Sequence, residues 1–101
     1  MSTTKIVIIG ASWCSPCKVL KGFATDVLEK KKISIPVVYL DVDDDDDEDV
    51  EAFGITKLPT VVFESDKGEV SRFIGSKKED FEKFVDEVSV HLTLDSAFAS
   101  T

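Results

Sequence analysis

This chain is short of cysteine, histidine, basic charge and long apolar runs, and each shortage closes off a class of function. No tract approaches the roughly 18 apolar residues that a membrane-spanning helix needs, so no membrane span is expected. The only two cysteines, Cys14 and Cys17, lie in one hexapeptide, which is no basis for a disulfide framework. With His91 as the sole histidine, the chain cannot supply a four-ligand zinc site by itself; zinc would require a dimer, and no metal is expected. Lys and Arg number 12 against 20 Asp and Glu, a formal charge of -8, which argues against nucleic acid or an anionic membrane surface as partner. Partners should be neutral or basic. No charged-then-apolar leader precedes the cysteines, so a reducing, cytoplasmic compartment is the expected location.

What remains is one domain of 101 residues, 43% of them hydrophobic, with a core of moderate size. Its most informative segment is Trp13-Cys14-Ser15-Pro16-Cys17-Lys18, placed directly after the β-branched run Lys5 to Ile9 and before a helix-like stretch. A strand would deliver Cys14 to the end of a sheet. A helix starting near Ser15 would then aim its unsatisfied N–H groups and positive dipole end at the Cys14 sulfur, favouring thiolate over thiol. Two intervening residues put the cysteines about one helical turn apart, close enough to form a disulfide without moving the backbone. The pair can close and reopen.

The wider pattern reads β-α-β-α-β-β-α. Lys5 to Ile9 and Pro36 to Leu40 are uninterrupted apolar runs of the kind found in strands buried on both faces. Between them Leu20, Phe23, Ala24, Val27 and Leu28 recur at helical spacing, predicting a right-handed parallel β-α-β unit. A short helix is expected around Glu48 to Phe53, ending near Gly54. Thr60 to Phe63 and Val70 to Ile74 flank the turn residues Ser65 to Gly68 and predict an antiparallel hairpin. Ser76 and Glu79 form a capping-box signature before a last helix with Phe81, Phe84, Val85, Val88 and Leu92 on one face. The domain is expected to occupy residues 1–92, and 93–101 to form a loosely ordered tail.

The order of elements, the Trp-Cys-x-Pro-Cys-Lys motif and the later Lys57-Leu58-Pro59-Thr60 together resemble the thioredoxin family over about residues 5 to 92. The resemblance implies an α/β thioredoxin fold with a four-stranded mixed sheet, a cis bond before Pro59, and a substrate groove bordered by Trp13, Leu58, Pro59 and Gly75. It implies thiol–disulfide exchange in which Cys14 attacks a substrate disulfide and a more buried Cys17 resolves the mixed disulfide. Leu58 would offer backbone hydrogen bonds to an extended substrate segment. The implied partners are disulfide-containing proteins and a thioredoxin-reductase-like flavoprotein donor, with no bound cofactor and a monomeric state. A glutaredoxin-like reductase recycled by glutathione, or a binding module with little turnover, are the alternative readings. A shared iron–sulfur cluster is disfavoured by Pro16 and by the lack of a basic clamp for a glutathione carboxylate.

Several positions depart from the family pattern. Only Met1 to Thr4 precede the first core strand, so the extra N-terminal strand and helix of ordinary thioredoxins are expected to be missing, leaving a glutaredoxin-sized core. Where the family usually buries an acid that assists proton transfer at the second cysteine, this chain has Ile8; its usual lysine partner is Tyr39, and a common aromatic is Gly10. Cys17 therefore needs another proton route. The run Asp41 to Asp49 lacks the spacing of an EF-hand and reads first as a solvated loop. Parallel topology places it on the same sheet edge as Cys14. Lys18 reads as a solvated first-turn residue.

Overall fold

Uninterrupted β-branched runs, a hairpin signal and two amphipathic stretches resolve into six elements among the described residues. A computed structural model of the chain describes residues 4–43 and 51–99, with backbone alone for 93–99. The elements are β1 (Lys5–Gly10), α1 (Ser15–Lys30), β2 (Val37–Asp41), β3 (Thr60–Ser65), β4 (Gly68–Ile74) and α2 (Lys78–Ala99). The strands form one mixed sheet in the order β2-β1-β3-β4. β1 runs parallel to β2, with Ile8 opposite Tyr39 and Gly10 opposite Asp41, and antiparallel to β3. β3 and β4 form the expected hairpin, whose turn is held by Lys67 N–H donating to Ser65 Oγ and closes at Gly68, φ 111°.

Alternation along β1 splits the core in two. Ile6 and Ile8 face the helices and join Leu20, Ala24, Val27 and Leu28 of α1 with Phe81, Phe84, Val85 and Val88 of α2. Phe81 is fully buried, with its ring centroid 5.6 Å from Phe23 and 6.0 Å from Phe73. Burying each such side chain stabilises the fold by about 1.5–3 kcal/mol, so this face carries most of the folding energy. Val7 and Ile9 point the other way and meet Val62, Leu40, Val42, Phe53, Ile55 and Leu58. Lys31 Nζ reaches Asp86 Oδ1 at 2.9 Å and ties the end of α1 to α2.

Two sequence expectations are corrected. β2 is an edge strand, with Val38 36% and Tyr39 39% exposed, and not a strand buried on both faces. Its composition specifies extended backbone, but cover depends on what lies beside it. The first helical bond of α2 runs from Phe81 N–H to Lys77 O, so the cap is Lys77 and not Ser76. Glu79 and Asp80 still occupy the first turn, where they favour the helix dipole. α2 continues to Ala99. Residues 93–99 contain no glycine or proline and include leucine and alanine, so nothing stops propagation after the last core contact. The short helix expected around Glu48 to Phe53 and Asp44 to Asp49 of the acidic run lie largely outside the described residues; the described remainder ends at Gly54, φ 60°. No described helix is long and apolar enough to cross a membrane.

Candidate active site

β1 ends at Gly10, and the next turn closes with Cys14 N–H donating to Ala11 O at 3.1 Å. Cys14 is the N-cap of α1, with extended backbone at φ -90° and ψ 110°, and Pro16 lies in the first helical turn. Proline is tolerated there because its missing N–H would have had no intrahelical partner. The N–H of Cys17 donates to Cys14 Sγ at 3.3 Å, so the first cysteine sulfur stands where a capping oxygen normally does. Cys14 and Cys17 form a disulfide, with Cα atoms 5.2 Å apart.

Both sulfurs sit in a small apolar nest with Ala11, Val42 and Leu58. The expected contrast between an exposed Cys14 and a buried Cys17 is corrected, since the two are 7% and 8% exposed. Leu58 and Val42 come from distant parts of the chain and cover both. What separates the cysteines is position: Cys14 caps the helix, whereas Cys17 lies inside its first turn and faces Gly10. A Cβ built on Gly10 would stand 3.0 Å from Cys17 Cβ and 3.1 Å from its Sγ. Glycine is what lets β1 and α1 approach this closely.

The remaining sequence-derived site residues gather at the same end of the sheet. The Leu58–Pro59 peptide is cis, Pro59 is buried, and Gly75 N–H donates to Pro59 O at 3.1 Å, joining the entry of β3 to the exit of β4. Gly75 has φ 138°, which side-chain-bearing residues rarely adopt. Thr60, fully buried, donates its hydroxyl to Lys57 O at 2.7 Å and fixes this bend. Trp13 is 67% exposed beside the nest. Lys18 is exposed, as expected.

Sequence reasoning missed how the start of the acidic run grips the cysteine loop. Asp41 accepts the N–H of Ser12 on Oδ2 at 3.1 Å and that of Asp43 on Oδ1 at 2.8 Å. Asp43 Oδ2 accepts the indole N–H of Trp13 at 2.6 Å. The available signal was the parallel register, which brings Asp41 opposite Gly10. Behind Cys17, a cavity of about 460 Å³ is walled by Ile8, Gly10, Tyr39, Leu40 and Asp41, with Lys18 and Lys21 along its helix side. Lys21 Nζ lies 4.8 Å from the Tyr39 ring centroid, a cation–π contact across the mouth.

A helix-capping cysteine pair, one turn apart at the end of a parallel β-α unit, defines a dithiol–disulfide exchange protein. Comparison with known proteins agrees: the Thioredoxin family model matches residues 2–87, and the chain belongs to the thioredoxin family. It is 39% identical over 87 residues to sheep thioredoxin, covering 83% of this chain and 80% of that one. To tobacco Thioredoxin H-type 1 it is 34% identical over 88 residues, covering 84% of this chain and 68% of the relative. Of Arabidopsis Thioredoxin H2 it spans 61%. Among solved structures, Fasciola hepatica thioredoxin superposes with a TM-score of 0.72 at 25% identity, over 83% of this chain and 79% of the other. Chlamydomonas reinhardtii thioredoxin f2 gives 0.73 at 20% identity over 90% and 81%, a likeness of fold. The chain is a thiol–disulfide oxidoreductase with Cys14 and Cys17 as its redox pair.

Proposed function

We propose that this oxidoreductase reduces protein disulfides, Cys14 attacking and Cys17 resolving, and works as a monomer in a reducing, cytoplasmic compartment. The observation that carries the division of labour is the Cys17 N–H directed at Cys14 Sγ from the helix N-terminus. That donor and the helix dipole stabilise negative charge on Cys14 and leave Cys17, one turn inside, without the same help.

In the reduced protein, the Cys14 thiolate attacks one sulfur of a substrate disulfide, and the other substrate sulfur leaves as a thiolate. Cys17 then attacks Cys14 Sγ, the Cys14–Cys17 bond forms, and the second substrate sulfur departs. An extended substrate strand would lie along the Leu58 backbone beside Pro59 and Gly75, with Trp13 on its flank. The two electrons are restored by a thioredoxin-reductase-like flavoprotein, and the domain itself needs no cofactor. The relatives' printed names, all thioredoxins, support this reading over a glutathione-linked one.

Three measurements test it. Iodoacetamide should label Cys14 before Cys17 in the reduced protein, and faster labelling of Cys17 would reverse the roles. The Cys17→Ser variant should accumulate mixed disulfides through Cys14, whose identification names the substrates. Insulin reduction supported by glutathione but by no flavoprotein reductase would move the chain to the alternative class.

A further inference from the structure

Disulfide exchange between the cysteines and a substrate strand leaves the cavity of about 460 Å³ behind Cys17 unused. That volume lies within the roughly 300–1,000 Å³ typical of small-molecule sites. Ile8 and Gly10 of β1, Ala11, and Leu40 of β2 give it an apolar lining, and Cys17 belongs to its wall. None of the residues assigned to the substrate groove, Trp13, Leu58, Pro59 and Gly75, lines it. An occupant would therefore touch the redox pair from behind and leave the groove open to a protein substrate.

Charge at this wall runs opposite to charge on the chain. The protein carries -8 overall, yet the cavity is bordered by two ammonium groups, those of Lys18 and Lys21, against the one carboxylate of Asp41. The two lysines are three positions apart on α1 and so share a face of the helix. Among the described residues neither is in an ion pair. Lys21 Nζ is drawn over the Tyr39 ring, 4.8 Å from its centroid, which holds this ammonium across the mouth. The Asp41 carboxylate already accepts the N–H groups of Ser12 and Asp43. One positive charge remains in excess, which suits a monoanion better than a dianion and a cation least. Because both lysines are exposed, an anionic head beside them stays partly hydrated and escapes the cost of burying a charge.

We propose that this cavity is a binding site for a small organic monoanion with a flat apolar body, an aryl carboxylate or aryl sulfonate, held independently of the protein substrate. The walls come from β1 and β2 on one side and α1 on the other, a gap between sheet and helix that a ring system fills. The ring lies against Ile8 and Leu40, and the anionic head sits at the rim with Lys18 and Lys21. Removing the ring from water supplies the affinity, and the two ammonium groups select the sign of the head. No bond forms or breaks on binding. The site stands apart from the division of labour between Cys14 and Cys17.

The test titrates the oxidised full chain with 2-naphthoate, and separately with its neutral counterpart 2-naphthamide, following backbone amide shifts by NMR near neutral pH. A ligand of this size should saturate the site with a dissociation constant of about 1 mM or lower. The amides of Ile8, Leu40 and Lys21 should move while those of Trp13 and Gly75 hold still. The naphthamide should bind several-fold more weakly. In the double variant Lys18→Gln, Lys21→Gln, naphthoate should lose about tenfold in affinity, the combined worth of two solvent-screened ion pairs, and naphthamide should lose nothing. Both lysines are exposed, so the variant keeps the fold. Equal binding of acid and amide, an unchanged affinity in the double variant, shifts centred on Trp13 and Gly75, or the lack of any saturable shift would each overturn the proposal. Insulin reduction measured without the probe judges the functional reading by itself, so either can fail alone.

Discussion

Replacing Gly10 by alanine tests the contact on which the cysteine geometry rests. An added Cβ would meet Cys17 Cβ at 3.0 Å and Sγ at 3.1 Å, against the roughly 3.5–4.0 Å of ordinary carbon contacts. Neither neighbour is the tip of a flexible chain. Cys17 is held in the first turn of α1 and Gly10 in the β1 ladder, so the strand and helix must part by a few tenths of an ångström. Overpacking of this kind costs about 1–3 kcal/mol. Alanine recovers about 0.4–1 kcal/mol by restricting the unfolded chain. The balance is a loss of about 1–2 kcal/mol. For a domain of this size that lowers the midpoint of thermal unfolding by very roughly 5–10 °C. Gly22 supplies the control: it lies on the exposed side of α1 with nothing within 4 Å of a built Cβ, and Gly22→Ala should stabilise the oxidised protein by about 0.5–1 kcal/mol. Urea unfolding of both variants, compared at equal slope, gives the answer. If Gly10→Ala is as stable as the parent, or moves in the same direction as Gly22→Ala, the close approach of β1 to Cys17 is not a constraint.

Two further expectations concern stability away from the sulfurs. Lys32 ends α1 with φ 59°, a left-handed conformation that costs a side-chain-bearing residue about 1 kcal/mol or more, so Lys32→Gly should gain about 0.5 kcal/mol after its extra unfolded-chain entropy; a lower thermal midpoint would refute this. Arg72 donates Nε and Nη2 to the two oxygens of Glu69, at 2.8 and 2.6 Å, and those hydrogen bonds hold the Glu69 carboxyl below its usual 4.5. A lowered folded value means the stabilisation is present above the unfolded value and lost as pH falls through the folded one. The pair is solvent-screened, so Glu69→Gln should cost about 0.5 kcal/mol or less at pH 7 and progressively less as pH falls through the lowered folded value; a deficit that does not shrink in acid would assign the effect to something other than this ion pair.

How far the sequence reveals this protein differs by element, for physical reasons. The strand, helix and hairpin signals are local and survive folding: Leu20, Ala24, Val27 and Leu28 line the core face of α1, and Cys14 stands at its N-cap. Burial is not local. Pro36 to Leu40 has the same composition as Lys5 to Ile9, yet β1 has neighbours on both sides and β2 on one. Likewise the equal cover of Cys14 and Cys17 depends on Leu58 and Val42, which only the tertiary fold brings to them. The acidic run is intermediate. Parallel topology puts it beside the cysteines, and the described part bears this out, but that Asp41 would hold the Ser12 N–H and Asp43 the Trp13 indole is a matter of side-chain reach.

The departures from the family pattern at Ile8, Gly10 and Tyr39 are not independent, because the register places them around one space. Ile8 sits opposite Tyr39 and Gly10 opposite Asp41, and all four line the cavity behind Cys17. A lysine facing that wall without its acid, or the acid without its lysine, would be a charge removed from water with no partner, which is costly. Replacing both, by isoleucine and by a tyrosine that lies under the Lys21 ammonium, avoids that cost. Glycine at position 10, by carrying no side chain, keeps the sulfur in reach of the cavity, and Asp41 lies two residues beyond Tyr39 on the same strand. Ile8, Tyr39 and the open back of Cys17 thus belong to a single site, set by the register of β1 with β2.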